Sequence, residues 1–247
     1  MDHISQFVGV AGWSIPTSLR ARFSERGSHL ERYAQALNAV EINSSFYRPH
    51  QLKTYQRWAA CTPEHFRFSV KLPRTITHQR RLVDFEALLD RFSGEAAGLG
   101  QKLGVVLVQL PPSLIFDSPV AKNFFVSLTA AIPASIACEP RHPSWFTAEA
   151  NHLLTALEVA RVATDPHPIA GSEQPGGSIS LVYYRLHGSP RMYYSKYEAA
   201  ELINVRQKLD RAVSSGRAVW CIFDNTAQFA ALPNALDLAG MNAVGLR

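Results

Sequence analysis

Glu139, Arg141 and His142 fall within four positions, directly after the apolar run Ile136-Ala137-Cys138 and on either side of Pro140. A carboxylate, a guanidinium and an imidazole set this close supply a proton acceptor, a permanent cation and a group that titrates near neutrality. The same succession of apolar run and terminal charge recurs along the chain. Glu41 and Asn43 end the run at 39–43, Lys71 and Arg74 flank Pro73 after 66–70, and Gln109 closes a run from 103 just before Leu110 and two prolines. Asp165 follows 159–164, Arg185 and His187 end 179–186, and Asp224 and Asn225 follow 218–223. Lys71 and Arg74 suit a phosphate or carboxylate, which charge-assisted hydrogen bonds hold best, although a solvated basic pair has the same spacing. Arg185 and His187 lie two apart on an extended run and must face one side. Interior arginines are usually paired, and Asp165 and Asp224 are the partners on offer.

In roles, Glu139, His187 and Asp165 are the acid–base or electrostatic candidates. Lys71, Arg74, Arg141 and Arg185 are candidates for holding an anion, with Glu41, Asn43, Gln109, His78, Trp13 and Asn225 completing the binding set. Trp13, Trp145, Tyr193 and Tyr194 offer faces for a planar ligand, or equally for packing. Glu41, Glu139, Asp165 and His187 are also the residue types of a divalent-metal site. No His-x-His spacing accompanies them, and Lys71, Arg141 and Arg185 in the same place would repel a metal and neutralise an anion unaided. The expectation is a site with no metal and no cofactor.

Convergence of these residues requires the runs to be strands whose C-terminal ends meet. Helical segments separate them: 28–38, where Ser28 and Glu31 have capping-box spacing, then 52–61, a segment with Phe85, Leu88, Leu89 and Phe92 at helical period, and one from Ser118 with Pro119 at its first position. Further helices cover 147–157, 196–215 and a short segment from Pro233. After 159–164 the stretch 167–178 is rich in proline and glycine and reads as loop. Eight strands alternating with about seven helices predict one domain over 1–247, a single TIM-type (β/α)8 barrel with a loop in place of the helix after strand six. A doubly wound sheet would carry a glycine-rich turn after strand one, and only Gly9 and Gly12 stand there.

Composition bounds the function. The chain has 247 residues, 47% of them hydrophobic, and a formal net charge of +5. That length and apolar fraction suffice for one large core. Cys61, Cys138 and Cys221 are an odd set without paired spacing, as in reduced thiols. No apolar run approaches the roughly 20 residues of a membrane helix, and the first residues show no basic-then-apolar leader. The expectation is a cytoplasmic protein without a membrane partner. Its basic excess favours an anionic partner, a phosphate-bearing small molecule or a nucleic-acid fragment. The alternative to an enzyme is a non-catalytic nucleic-acid-binding protein using Arg20, Arg22, Arg26, Arg80 and Arg81, although no nucleic-acid motif is present.

The motifs also carry a family resemblance. Gly12-Trp13, Val40-Glu41-Ile42-Asn43-Ser44-Ser45-Phe46-Tyr47, Phe68-Ser69-Val70-Lys71-Leu72-Pro73-Arg74 and Ile76-Thr77-His78 come first. Gln109-Leu110-Pro111-Pro112-Ser113, Glu139-Pro140-Arg141-His142-Pro143-Ser144-Trp145, Arg185-Leu186-His187-Gly188 and Phe223-Asp224-Asn225 follow in order. The chain resembles the YecE-like family, the domain of unknown function numbered seventy-two. The resemblance implies a TIM-type barrel and no established activity.

Overall fold

The computed structural model describes residues 6–241. Strands β1 (Gln6–Val10), β2 (Ala39–Ile42), β3 (Arg67–Lys71), β4 (Leu103–Gln109) and β5 (Ser135–Glu139) alternate with helices α1 (His29–Ala34), α2 (Leu52–Ala60), α3 (Glu86–Ala96), α4 (Ser118–Ala131) and α5 (Ala148–Ala156). The sixth run is divided at Val162 into β6 (Val159–Arg161) and β7 (Ala163–Asp165). Turns and the two-residue strand β8 (Gly176–Gly177) follow it, with no helix between 166 and 180. Then come β9 (Leu181–Leu186), α6 (Ala199–Ser214), β10 (Ala218–Phe223) and α7 (Ala231–Gly240). Ser28 caps α1 through the expected box: its hydroxyl accepts from Glu31 N and Glu31 Oε2 accepts from Ser28 N at 2.6 Å. At α4 the cap is Asp117 rather than Ser118, its carboxylate accepting from Val120 N at 3.0 Å.

Hydrogen bonding groups the strands in two parallel sheets, β1-β10-β9-β7 and β2-β3-β4-β5-β6, with β8 antiparallel to β6. The fold is mixed α/β with parallel sheets. The expected single closed ring of strands is not what the ladders show, and the reason lies at two junctions. Val162 stands between β6, which pairs with β5, and β7, which pairs with β9. Between β1 and β2 the ladder is reduced to one bridge, Ala11 to Glu41, with Gly12 N donating to Glu41 O at 2.9 Å. Side chains take the remaining backbone groups there. Asn38 accepts from Val8 N at 2.9 Å and donates to Gln6 O at 2.8 Å. The Tyr33 hydroxyl accepts from Val10 N at 2.9 Å and donates to Ala39 O at 2.8 Å. Gly9 is needed for this approach, because a Cβ there would overlap the Ala39 carbonyl.

Both faces of the sheets are buried, as parallel strands require. The alternation is plain on β4: Val106 and Val108 join a large cluster under the helices, with Phe68, Phe124, Phe125 and Trp145. Val105 and Leu107 join a smaller cluster drawn from both sheets, with Ala39, Ala137, Tyr183, Trp220 and Ile222. Among the described residues no helix is long and apolar enough to cross a membrane.

The seam makes a prediction. Tyr33 is fully buried, and Tyr33→Phe strands the Val10 N–H and the Ala39 carbonyl without partners. A buried unsatisfied group costs about 1–3 kcal/mol, so the denaturation midpoint should fall accordingly with an unchanged m-value. An unmoved midpoint would show that the seam does not depend on this hydroxyl.

Candidate functional site

Period-two alternation aims side chains from both sheets at one place. Along β9, Tyr183 and Arg185 share a face, and His187 continues it. Glu41 on β2, Ser69 and Lys71 on β3, Glu139 ending β5 and Asp224 just past β10 complete the set. All of these residues are buried. Arg185 is the centre. Its Nε and one terminal nitrogen grip Glu41 Oε2 and Oε1 at 3.0 and 2.6 Å, a bidentate fork. The other terminal nitrogen donates to Glu139 Oε2 at 2.7 Å, and Asp224 Oδ2 lies 3.1 Å from the nitrogen that holds Glu41 Oε1. Arg141 Nε donates to Glu139 Oε1 at 2.7 Å. His187 stands between two carboxylates, Nε2 at 3.2 Å from Glu139 Oε1 and Nδ1 at 3.1 Å from Asp224 Oδ2. The Tyr183 hydroxyl bonds Glu41 Oε2 at 3.0 Å and Ser69 Oγ at 2.9 Å.

Burial opposes ionisation of Glu139, but the Arg141 and Arg185 guanidiniums, with His187, outweigh it and hold its carboxyl well below the usual range. Asp224 is lowered in the same way, chiefly by Arg185 against its burial. Burial likewise works against a charged His187, yet the Glu139 charge and the two carboxylate hydrogen bonds raise it above 6.5. Lys71 shows the opposite balance. Burial first, then Arg185, push its amine down to about 8, and Glu41, Glu139 and Asp224 offset only part of that.

Lys71 Nζ lies 4.1 Å from the centre of the Phe46 ring and has no hydrogen bond or ion pair among the described residues. His78 packs edge-on to the same ring at 5.0 Å, bonds Thr77 Oγ1 at 2.8 Å, and is lowered by burial and by the Lys71, Arg74 and Arg141 charges. Arg74 is exposed and Gln109 half-buried. The Asn43 side-chain oxygen is buried without a hydrogen-bond partner among the described residues. Tyr193 stands edge-on to the His187 ring at 5.6 Å.

Three expected members stand elsewhere. Ala160 and Val162 face the inner cluster, so Asp165 faces outward. Its carboxylate lies 4.0 Å from His167 and lines a cavity of about 160 Å³ with Glu173, Tyr184 and Lys208. Asp224 takes the place expected of it. Trp13 follows Gly12, whose φ of 100° turns the chain off the strand, and packs against Trp58 at 5.0 Å. Asn225 holds the neighbouring loop and α7, its amide donating to Ser195 O at 2.9 Å and Asn234 Oδ1 at 3.0 Å. Among the described residues no group of three or more His, Cys, Asp or Glu is arranged to hold a metal. Tyr183 and Ser69 are the members that strand-end reasoning misses. Each lies two residues before a predicted one, which is the signal that could have found them.

The shifts set a pH window. Glu139 and Asp224 are depressed, so their contribution is complete above the unfolded values of 4.5 and 3.8 and is lost in acid. His187 is raised, so its contribution is complete below 6.5 and is lost as pH rises through its folded value. The His187 contribution should fall as pH rises above 6.5, and His187→Gln should remove that component of the decline while leaving the acid limb in place. Denaturation midpoints across pH 4–8 measure it, and an identical alkaline slope in the variant would assign the decline to another group.

A family model described as a protein of unknown function, DUF72, matches residues 7–245. The UPF0759 protein YecE of Escherichia coli is 30% identical over 169 residues, 66% of this chain and 60% of that protein. The match thus spans under two thirds of the length of that curated relative. The crystal structure of a DUF72 family protein from Enterococcus faecalis superposes with a TM-score of 0.81 at 19% identity, covering 96% of each chain. A sugar phosphate isomerase/epimerase from Parabacteroides distasonis is a more distant likeness, with a TM-score of 0.56 at 13% identity over 95% of this chain and 92% of that one. These two structures share the fold. Matched along nearly its whole length by the family model, the chain belongs to the DUF72 family.

Proposed function

We propose that this protein is an enzyme acting on a small anionic, phosphate-bearing substrate above the Arg185 cluster, within one domain whose two sheets curve into a single barrel. Supporting the barrel are the side chains of β2, β3, β5 and β9 that meet across the two sheets, the Ala11–Glu41 bridge and the continuity of the chain through Val162. Supporting the site is its position at C-terminal strand ends, where barrels of this type carry their chemistry. The observation that carries the reading is Lys71, a buried amine with no carboxylate partner among the described residues, beside a network whose other charges are paired. A substrate phosphate would give it one. The name of the sugar phosphate isomerase/epimerase likeness points to the same substrate class.

Within this reading His187, whose affinity for a proton Glu139 and Asp224 raise, is the general acid. Glu139 is a positioning residue, because two guanidiniums hold it too acidic to take a proton readily. The site works without a resident metal, since Glu41 and Glu139 already spend their oxygens on Arg185 and Arg141 and Asp165 faces away.

Two measurements test this. Phosphate should raise the melting temperature, by about 2.7 kcal/mol of stabilisation at a hundredfold excess over Kd, and Lys71→Met should lose that shift. A wild-type protein indifferent to phosphate and to sugar phosphates would remove the anion site. Elemental analysis of protein purified without chelator should find no stoichiometric metal; one equivalent of zinc, manganese or iron, lost in Glu139→Gln, would overturn the metal-free reading.

A further inference from the structure

We propose that the Lys71 amine is a nucleophile that forms an imine with an anionic aldehyde or ketone, such as a phosphorylated sugar, and this rests on the reading above that the mouth takes a small anion. A lysine placed only to balance charge would be aimed at a carboxylate. Three lie near Lys71, and all are engaged: Glu41 by Arg185, Glu139 by Arg185 and Arg141, and Asp224 by His187 and Arg185. The Lys71 amine instead ends over the Phe46 ring, in a residue 5% exposed, without a hydrogen bond among the described residues. The other lysines differ. Lys102 is tied to Ala59 O at 2.7 Å and Thr62 O at 2.6 Å, and Lys53, Lys122, Lys196 and Lys208 are exposed.

Charge balance at the site points the same way. Glu41, Glu139 and Asp224 bring three negative charges, and Arg185 and Arg141 bring two positive ones, so neutrality needs one further proton. His187 and Lys71 compete for it. Both carboxylates bonded to His187 favour the imidazole, while burial and the Arg185 charge work against the ammonium. The balance favours the proton on the imidazole and brings the Lys71 amine down to about 8, so that a fraction of it is free base near neutral pH, an acid and a nucleophile in one mouth.

The step balances without an oxidant or reductant. The amine nitrogen adds to the carbonyl carbon, and a C=N bond replaces C=O. The carbonyl oxygen leaves as water with one proton from His187 and one from the amine. The product is a protonated imine, the electron sink for breaking a bond to the neighbouring carbon.

Borohydride trapping tests it. The wild-type chain is incubated at pH 7 with dihydroxyacetone phosphate and sodium cyanoborohydride, digested, and mapped by mass spectrometry. An amine titrating at about 8 has on the order of a hundredfold more free base at pH 7 than a surface lysine. Lys71 should therefore carry the adduct at about tenfold or greater occupancy over Lys53, Lys122, Lys196 and Lys208. Lys71→Arg should lose the adduct at that position yet keep the phosphate-induced rise in melting temperature. Equal labelling of all lysines, with the phosphate shift intact, overturns the imine and leaves the anion site standing. Selective labelling with no phosphate shift supports the imine and overturns the anion site instead. The wild-type map does not depend on whether the variant folds.

Discussion

A guanidinium cannot be buried alone. Arg185 has no exposed surface, and removing such a charge from water costs several kcal/mol even after relaxation. Here the cost is offset by Glu41, Glu139 and Asp224, which arrive from different strands and from both sheets. Each must end its strand at the same height and on the same face. A slip of one residue in β2, β5, β9 or β10 would turn its partner away and leave an uncompensated charge inside. Apolar residues of similar volume would often fill such a space with equal or greater stability. The network is therefore better understood as fixing strand register and holding a charge pattern than as the main source of stability.

What lies beneath the network makes those charges count. The inner cluster is apolar, with Tyr183 stacked on Trp220 at 6.0 Å and Phe7 on the other side of Trp220 at 4.8 Å. In so dry a floor each charge acts at lower effective dielectric than at the surface. The directions at Glu139, His187 and Lys71 follow from this setting, since burial is the largest influence on each and the neighbouring charges decide which way the balance falls. Tyr183 joins the two layers, its ring in the apolar floor and its hydroxyl on Glu41.

The strands and the place where ionisable residues gather were legible in the sequence, because apolar runs ended in proline or charge and those ends carry the candidate site. Facing was legible only where two candidates shared a strand. Arg185 and His187, two apart, do point the same way. Asp165 was chosen for standing at a strand end, whereas parity with Ala160 and Val162 puts it outside, and parity with Trp220 and Ile222 puts Asp224 inside. The hydroxyls of Tyr183 and Ser69 sit within otherwise apolar runs and show no strand-end signal. Past the strands, parity stops applying: Gly12 turns the chain before Trp13, and the partners of Asn225 come from distant segments. The seam was hidden for a related reason. Side chains that replace a backbone ladder, as Asn38 and Tyr33 do, leave no periodic pattern.

The same pairing governs what the mouth can select. The chain as a whole is basic, and that excess can steer anions from a distance. Inside the mouth, three carboxylates face two guanidiniums, an imidazole and one amine, so its own field is weak whichever of the last two holds the proton. A site with little net charge cannot gather anions indiscriminately. Affinity must come from directed contacts, and fully buried Arg185 directs four of its five N–H donors at Glu41, Glu139 and Asp224. The groups that still reach outward are Lys71, the partly exposed Arg141 and, at the rim, His78 and Arg74. Recognition thus falls to the ring of residues above Arg185, while Arg185 itself holds the strands that carry them.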